Sequence, residues 1–515
     1  MSCLRESSTH EDSQPRRVTR LNWSGLGVVD VEGRERCVPL TRIGDEVRVR
    51  WRYGDWGQVI GERLDEPHRA AQLDEDLGCA QARRCSGCAL RHLDPQEQRA
   101  AQEESHLGAI TRLSGRDLSM TPSSWLEGPQ RDGYRARVRA RLMYETTSKQ
   151  WRLALRPRWG EPVRLSKCPN HPELLRSLVE TVEAWLNERA QDYLPPAPSS
   201  EIASQGDALS LPSRDLFELS SVSVQAGEGL PMWVTLHLEA PRKEGSLKRQ
   251  ERERRLSVGV DQWEMLPLDD LQERLNDITS QVFGGVTLFG VVSLRDQGRS
   301  SIGPAHLSGP LVTRWRCSRG LSFEAAPPAW LPQTPSTLEA VRRGVDQLIW
   351  GRDGDVHHQV ICEIGCGVGL VSVALLLDHP ETSWIGVDIE PMSTRCAEES
   401  ARINGVAERA RWIAADGRRA LAALDEAPDT LIIHAMRRPM SGLLNLAAHR
   451  GVRRVCYLAP SAPSLGRDLA ESEQYRLEEL IYLDQMPGTA TLMTMALLSL
   501  DVDAAPLTGE DSTRA

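Results

Sequence analysis

The stretch that most constrains this chain is residues 359–375, QVICEIGCGVGLVSVAL. A hydrophobic strand runs into Glu363, after which Gly365, Gly367 and Gly369 alternate through a turn and an apolar helix begins. Glycines at a strand-to-helix turn permit the tight bend and let the backbone approach a ligand closely. A second hydrophobic strand, SWIGVDIE, ends on Asp388 about 20 residues later, where an acidic side chain can take ribose hydroxyls. A third, ARWIAADGRRAL, brings Asp416 to where an adenine ring would lie. Across residues 335–500 helix and strand patterns alternate, which predicts a parallel sheet covered by helices. One glycine motif alone is weak evidence. Three strand ends in register favour S-adenosylmethionine (SAM) over a dinucleotide or an empty doubly wound domain.

The rest of the chain is too long for that domain alone. At 515 residues several domains are expected, and 40% hydrophobic with 26% charged residues is enough to build their cores. The formal charge of −10 argues against wholesale coating by nucleic acid but leaves room for a local basic face. The N-terminal MSCLRESSTHEDSQPRR has no apolar segment, so no signal peptide is expected, and no run of about 18 apolar residues predicts a membrane helix. A cytoplasmic location follows, where disulfides are uncommon, so the eleven cysteines read as buried thiols or metal ligands.

Residues 1–16 and 501–515 read as disordered tails. Residues 17–66 hold five short strands punctuated by Gly, Asp and Asn, which suggests a small OB-like barrel of the kind that reads nucleic acid. Residues 67–325 form a mixed α+β central domain, in which the charged run 241–256 is expected as a solvated loop or helix end. Residues 326–500 are the nucleotide-type domain.

Two constellations in the central part carry chemistry. Cys79, Cys85 and Cys88 are spaced C-x5-C-x2-C, and Cys168 lies alone in LSKCPNHPE. Three thiolates in one loop and a fourth from a distant segment suit an iron–sulfur cluster or zinc, and spacing does not choose between them. Arg135, Arg137, Arg139 and Arg141 alternate, so a strand would place them on one face as a phosphate-binding surface, with Tyr134, Trp151 and Trp159 nearby for stacking on bases.

Together these segments resemble the RNA uracil-5 methyltransferases, in the branch with a TRAM domain and an iron–sulfur cluster, over about residues 17 to 500. GLGVV and IGDEV are similar to TRAM; CAQARRCSGCALRHLDPQEQ is similar to the cluster segment; DGYRARVRARL and LSKCPNHPELL match central segments. LSFEAAPPAWLPQTP resembles the segment before the SAM domain. The resemblance implies a [4Fe–4S] cluster on Cys79, Cys85, Cys88 and Cys168, SAM held in part by Gln333, and structured RNA, rRNA or tRNA, as partner.

The same resemblance exposes departures. The family adds a cysteine thiolate to C6 of uracil so that C5 accepts the methyl group, and a glutamate then removes the C5 proton. RVCYLAPSAPSLGRDL puts Pro460 at the nucleophile's position, and LDQMPGTATLMTMALL puts Met493 at the base's. The Asp-Pro-Pro-Arg-like motif reads His434, Ala435, Met436, Arg437, and the family's Phe and Asn positions in the glycine motif correspond to Gly365 and Leu370. Cys456, four residues upstream of Pro460, would lie roughly 13 Å from the required point. Two readings stay open: a methyltransferase with chemistry that does without the cysteine, with His434 as a candidate base, and a catalytically silent RNA-binding relative.

Overall fold

A computed structural model describes residues 10–12, 14–53, 59–64, 78–118, 122, 124–158, 160–195, 218–226, 230–240, 256–257, 260–280, 285–294, 301–317, 319–329, 331–351, 359–435 and 439–501. The charged run 241–255, the segment 502–515, Trp159 and the Met436–Arg437 part of the altered motif fall outside them.

The N-terminal part is a six-stranded sheet, with an additional two-stranded pairing of Arg16–Arg17 and Glu46–Val47. Its core is Val18, Val29, Val38, Val47, Val49 and Trp51, drawn from strands in which apolar residues face inward. The disorder expected up to residue 16 ends sooner. His10–Glu11 pairs antiparallel with Arg50 and Trp51, and buried Asp12 holds Arg16 at 2.7 Å. That ion pair at the sheet edge gives the segment a fixed place that its polar composition conceals.

The central part is a seven-stranded sheet in which Arg137–Glu145 and Glu218–Gln225 are adjacent and antiparallel. Helix Glu173–Glu188 buries Leu175, Leu178, Val179, Val182, Trp185 and Leu186 against one sheet face, the spacing of an amphipathic helix. Val138, Ala140, Val222 and Val224 supply the sheet side of this core.

The C-terminal sheet has eight strands. Ala410–Ala414, Thr382–Asp388, Gln359–Ile364, Thr430–His434 and Arg454–Ala459 are parallel in that order, and Met493–Leu500 joins antiparallel, followed by Tyr475–Leu483. The doubly wound expectation holds for the parallel part. The eighth strand, Ser124–Leu126, comes from the stretch assigned by sequence to the central domain and pairs parallel with Tyr475–Leu483. Helix Pro95–Ser114 also packs on this domain: a Cβ on Gly466 of helix Ala462–Glu471 would meet Leu113 Cβ at 2.9 Å. The boundary drawn at residue 326 is therefore crossed by earlier chain. Three residues of strand and a largely polar helix carry too little local pattern to show which sheet they join.

Candidate functional site

The parallel strands end at a common edge, and the glycine loop is folded there. Gly365, Gly367 and Gly369 have φ of +81°, +55° and +82°, a left-handed backbone that a side chain would strain. The amides of Gly365 and Cys366 donate to the Val387 carbonyl at 2.8 and 3.1 Å. The Gly367 amide donates to Asp388 Oδ2 and the Glu390 amide to Asp388 Oδ1, both at 2.9 Å. Asp388 thus ties the loop to the end of the second strand. Beside it Ile389 is 74% exposed, an apolar side chain lying open on the site's rim.

On the third strand Trp412 packs over the loop: a Cβ on Gly369 would approach it at 3.3 Å and one on Gly386 at 2.3 Å. Asp416 caps helix Gly417–Ala423, accepting from the amides of Arg418 and Arg419 at 3.1 and 3.2 Å. Gln333, before the first helix of this domain, receives the Ala136 amide on its carbonyl at 2.7 Å, while its buried Oε1 has no partner among the described residues.

Glu363 is placed differently from the rest of the predicted cofactor set. It is fully buried, with Oε2 accepting from the Trp384 indole at 3.0 Å and Oε1 paired with His434 Nε2 at 2.7 Å. Its partners are protein groups. The central strand is covered on both faces, so a carboxylate in it must be satisfied by neighbouring strands. Trp384 and His434 were missed as its partners; the parallel registers that place Ile361 beside Trp384 and Ile433 beside Ile364 would have revealed them.

The strand Arg454–Ala459 pairs with Met493–Leu500 in a register that sets Ala459 opposite Thr494. One further step sets Pro460 opposite Met493, so the two positions that depart from the family pattern are neighbours at the same edge. His434 pairs with Leu458 on the other side of that strand. Cys456 is fully buried, and burial pushes its thiol up to about 12. Such a thiol is neither exposed nor ionised. Asp468, in GRDL, accepts from the Met440 amide at 2.8 Å and the Tyr457 hydroxyl, so it fastens its helix to the sheet.

The cysteine loop lies on the other side of the last strand's turn. No disulfide joins the described cysteines. Burial pushes Cys88 up to about 11 and Cys168 up to about 12, and charge on the loop's other cysteines adds to the effect in both cases. The Asn170 amide donates to Cys88 Sγ at 3.1 Å and the Gly87 amide to Cys85 Sγ at 3.3 Å. Among the described residues no three His, Cys, Asp or Glu side chains stand close enough to hold a metal ion as they are.

Arg137, Arg139 and Arg141 share the face of their strand opposite Val138 and Ala140. Arg135 precedes the strand, with its amide donating to the Asn170 carbonyl at 2.8 Å and its buried Nε lacking a partner among the described residues. Tyr134 is buried, its hydroxyl donating to the Pro487 carbonyl at 3.1 Å, so it anchors the turn and offers no open ring for a base. Trp151 is half-buried and edge-on to Tyr144 at 5.4 Å. Among the described residues no helix is long and apolar enough to cross a membrane.

No family model matches the chain. It is 24% identical over 497 residues, 93% of its length and 92% of the relative's, to the protein named 23S rRNA (uracil(1939)-C(5))-methyltransferase RlmD of Pseudomonas fluorescens. It is 24% identical over 510 residues, 96% of its length and 97% of the relative's, to the protein of the same name in Vibrio cholerae. The fold matches that of the Pyrococcus abyssi tRNA (uracil-54, C5)-methyltransferase in complex with S-adenosyl-L-homocysteine, with a TM-score of 0.58 over 94% of this chain and all of that one, at 17% identity. In sequence and fold the chain is similar to RNA uracil-5 methyltransferases. By the resemblance read from the sequence, Pro460 and Met493 stand at the two chemistry-bearing positions, and His434 ends the fourth parallel strand.

Proposed function

We propose that the chain is a SAM-dependent RNA methyltransferase acting on structured rRNA or tRNA, with the family's cysteine-dependent C5 chemistry altered or lost. The observation that carries this reading is the glycine loop tied to both oxygens of Asp388. Three glycines in a left-handed backbone at that edge leave the loop bare, as close approach of a nucleotide-like ligand to the backbone requires. The site fits SAM on three counts: Gly365, Gly367 and Gly369 leave a backbone cradle, Gln333 presents a buried oxygen with no partner among the described residues, and Ile389 offers an apolar surface beside Asp388. Asp388 would take the ribose hydroxyls, Asp416 would face the adenine side, and Gln333 would hold the amino-acid end. SAM supplies an electrophilic methyl group on a sulfonium centre.

In this reading the RNA lies on Arg137, Arg139 and Arg141, with Arg135 at the strand's entry and the N-terminal TRAM-like, OB-like domain gripping a neighbouring part of the fold. Cys79, Cys85, Cys88 and Cys168 hold a [4Fe–4S] cluster in a structural role. The four thiols form a soft donor set, and Asn170 and Gly87 already direct amides at two of the sulfurs. As thiolates, these four residues would hold the cluster, which would supply a structural link between the loop and Cys168. The protein would work in the cytoplasm, where its RNA is made.

Anaerobically purified protein mixed with tritium-labelled SAM and total RNA from cells lacking the gene tests the reading. Label transferred to RNA supports an enzyme. RNA binding without transfer would leave the second reading, a silent RNA-binding relative, which Pro460 and Met493 favour because neither can add to uracil or take a proton.

A further inference from the structure

The pairing of Glu363 with His434 satisfies a buried carboxylate and also brings an imidazole to the strand edge. A carboxylate buried to this degree is costly unless fully engaged, and here it is engaged by an indole on one side and an imidazole on the other. His434 is 26% exposed, so the imidazole spans from the buried carboxylate to the open edge. It stands directly against the glycine loop: a Cβ on Gly365 would meet His434 Cβ at 3.1 Å and its carbonyl oxygen at 3.3 Å. The absence of a side chain at 365 lets the end of the fourth strand approach the loop this closely.

We propose that Glu363 and His434 act as a carboxylate–imidazole pair that takes the proton from an N–H or O–H of the RNA as that atom is methylated; this rests on the methyltransferase reading above. With Glu363 ionised, His434 Nε2 carries the hydrogen and donates to it, and Nδ1 keeps its lone pair as the basic nitrogen. The nucleophile's lone pair forms the bond to the methyl carbon, the pair of the broken carbon–sulfur bond stays on sulfur, and the nucleophile's proton ends on Nδ1. The imidazolium that forms faces the Glu363 carboxylate, which stabilises it. No thiolate and no second base are required, so Pro460 and Met493 cease to be defects. His434 is the catalytic residue in this scheme; Glu363 and Trp384 position it.

The expected result is that His434→Ala and His434→Gln each lower kcat about 100-fold or more while KM for SAM stays within about twofold, with added imidazole restoring part of the rate to the alanine variant. The modified nucleoside carries the methyl on nitrogen or oxygen. Glu363→Gln lowers kcat with little change in KM. In cofactor-free protein labelled with 15N-histidine, the His434 signal, identified by its loss in His434→Gln, shows the Nε2–H tautomer in the wild type and loses that preference in Glu363→Gln. Wild-type kcat in both well-folded His434 variants, a 5-methyluridine product, or an Nδ1–H tautomer would overturn the pair while leaving the methyltransferase reading standing. No transfer by the wild type would overturn both.

Discussion

Asp388 spends both carboxylate oxygens on backbone amides, at Gly367 and Glu390, so its role begins with shaping the loop. Replacing it by alanine leaves two amides without acceptors and lets the loop drift. An unsatisfied buried amide costs about 1–3 kcal/mol, so Asp388→Ala should weaken SAM binding tenfold or more in calorimetry. An unchanged Kd would show that the loop holds its shape without it. Gly365 is constrained twice over, by its φ of +81° and by His434 at 3.1 Å from any added Cβ. Gly365→Ala is expected to destabilise the domain by about 1–2 kcal/mol from backbone strain alone, read as a lowered Tm. At this scale the glycines and Asp388 were legible in the sequence because their chemistry is local: a strand, a turn and an acid at a fixed offset. The partners of Glu363 were not, since they depend on which strands lie side by side.

Among the elements, the turn that precedes the last strand ties the long helix and the cysteine loop to the C-terminal sheet. Gln98 of helix Pro95–Ser114 donates to Asp484 Oδ2 at 2.6 Å and accepts the Gly488 amide at 3.1 Å, while the Gly488 carbonyl receives the Leu90 amide from the cysteine loop at 3.0 Å. Burial raises the Asp484 carboxyl to about 6. A carboxyl raised above its unfolded value of 3.8 binds more protons folded than unfolded between the two values, so stability falls as pH rises from about 4 through about 6. Asp484→Asn should flatten that stretch of the curve and add on the order of 2 kcal/mol at neutral pH, checked by urea denaturation across pH; a curve that keeps its slope would place the titration elsewhere. The arginine strand makes a separate forecast. Replacing Arg139 and Arg141 together by alanine should weaken RNA binding and reduce the salt slope of log K by about 0.7–0.9 for each phosphate no longer neutralised, whatever the RNA sequence. An unchanged slope would remove this face from the RNA path.

Over the whole molecule, a small cluster of Leu21, Leu90, Leu93 and Ala101, with Ala490 against it, gathers the N-terminal domain, the cysteine loop, the long helix and the last turn at one point. Loss of the proposed cluster should therefore be felt beyond the loop. Cys168→Ala is expected to be purified without iron and acid-labile sulfide and to unfold at lower temperature; a variant that keeps both would show that Cys168 is not a ligand, and zinc in place of iron would replace the cluster. The sequence by itself determined the nucleotide-type domain and the arginine alternation along one strand, because each is written in periodicity or short spacing. The resemblance alone marks Pro460 and Met493 as departures, and the strand register, continued by one residue, sets them opposite each other. Only the tertiary structure decided that a strand and a helix from before residue 127 complete the C-terminal domain, that Tyr134 is a buried anchor, and that Glu363 belongs to His434. Those outcomes depend on strand order and on which faces are covered, and pairings between residues tens of positions apart leave no local pattern to read.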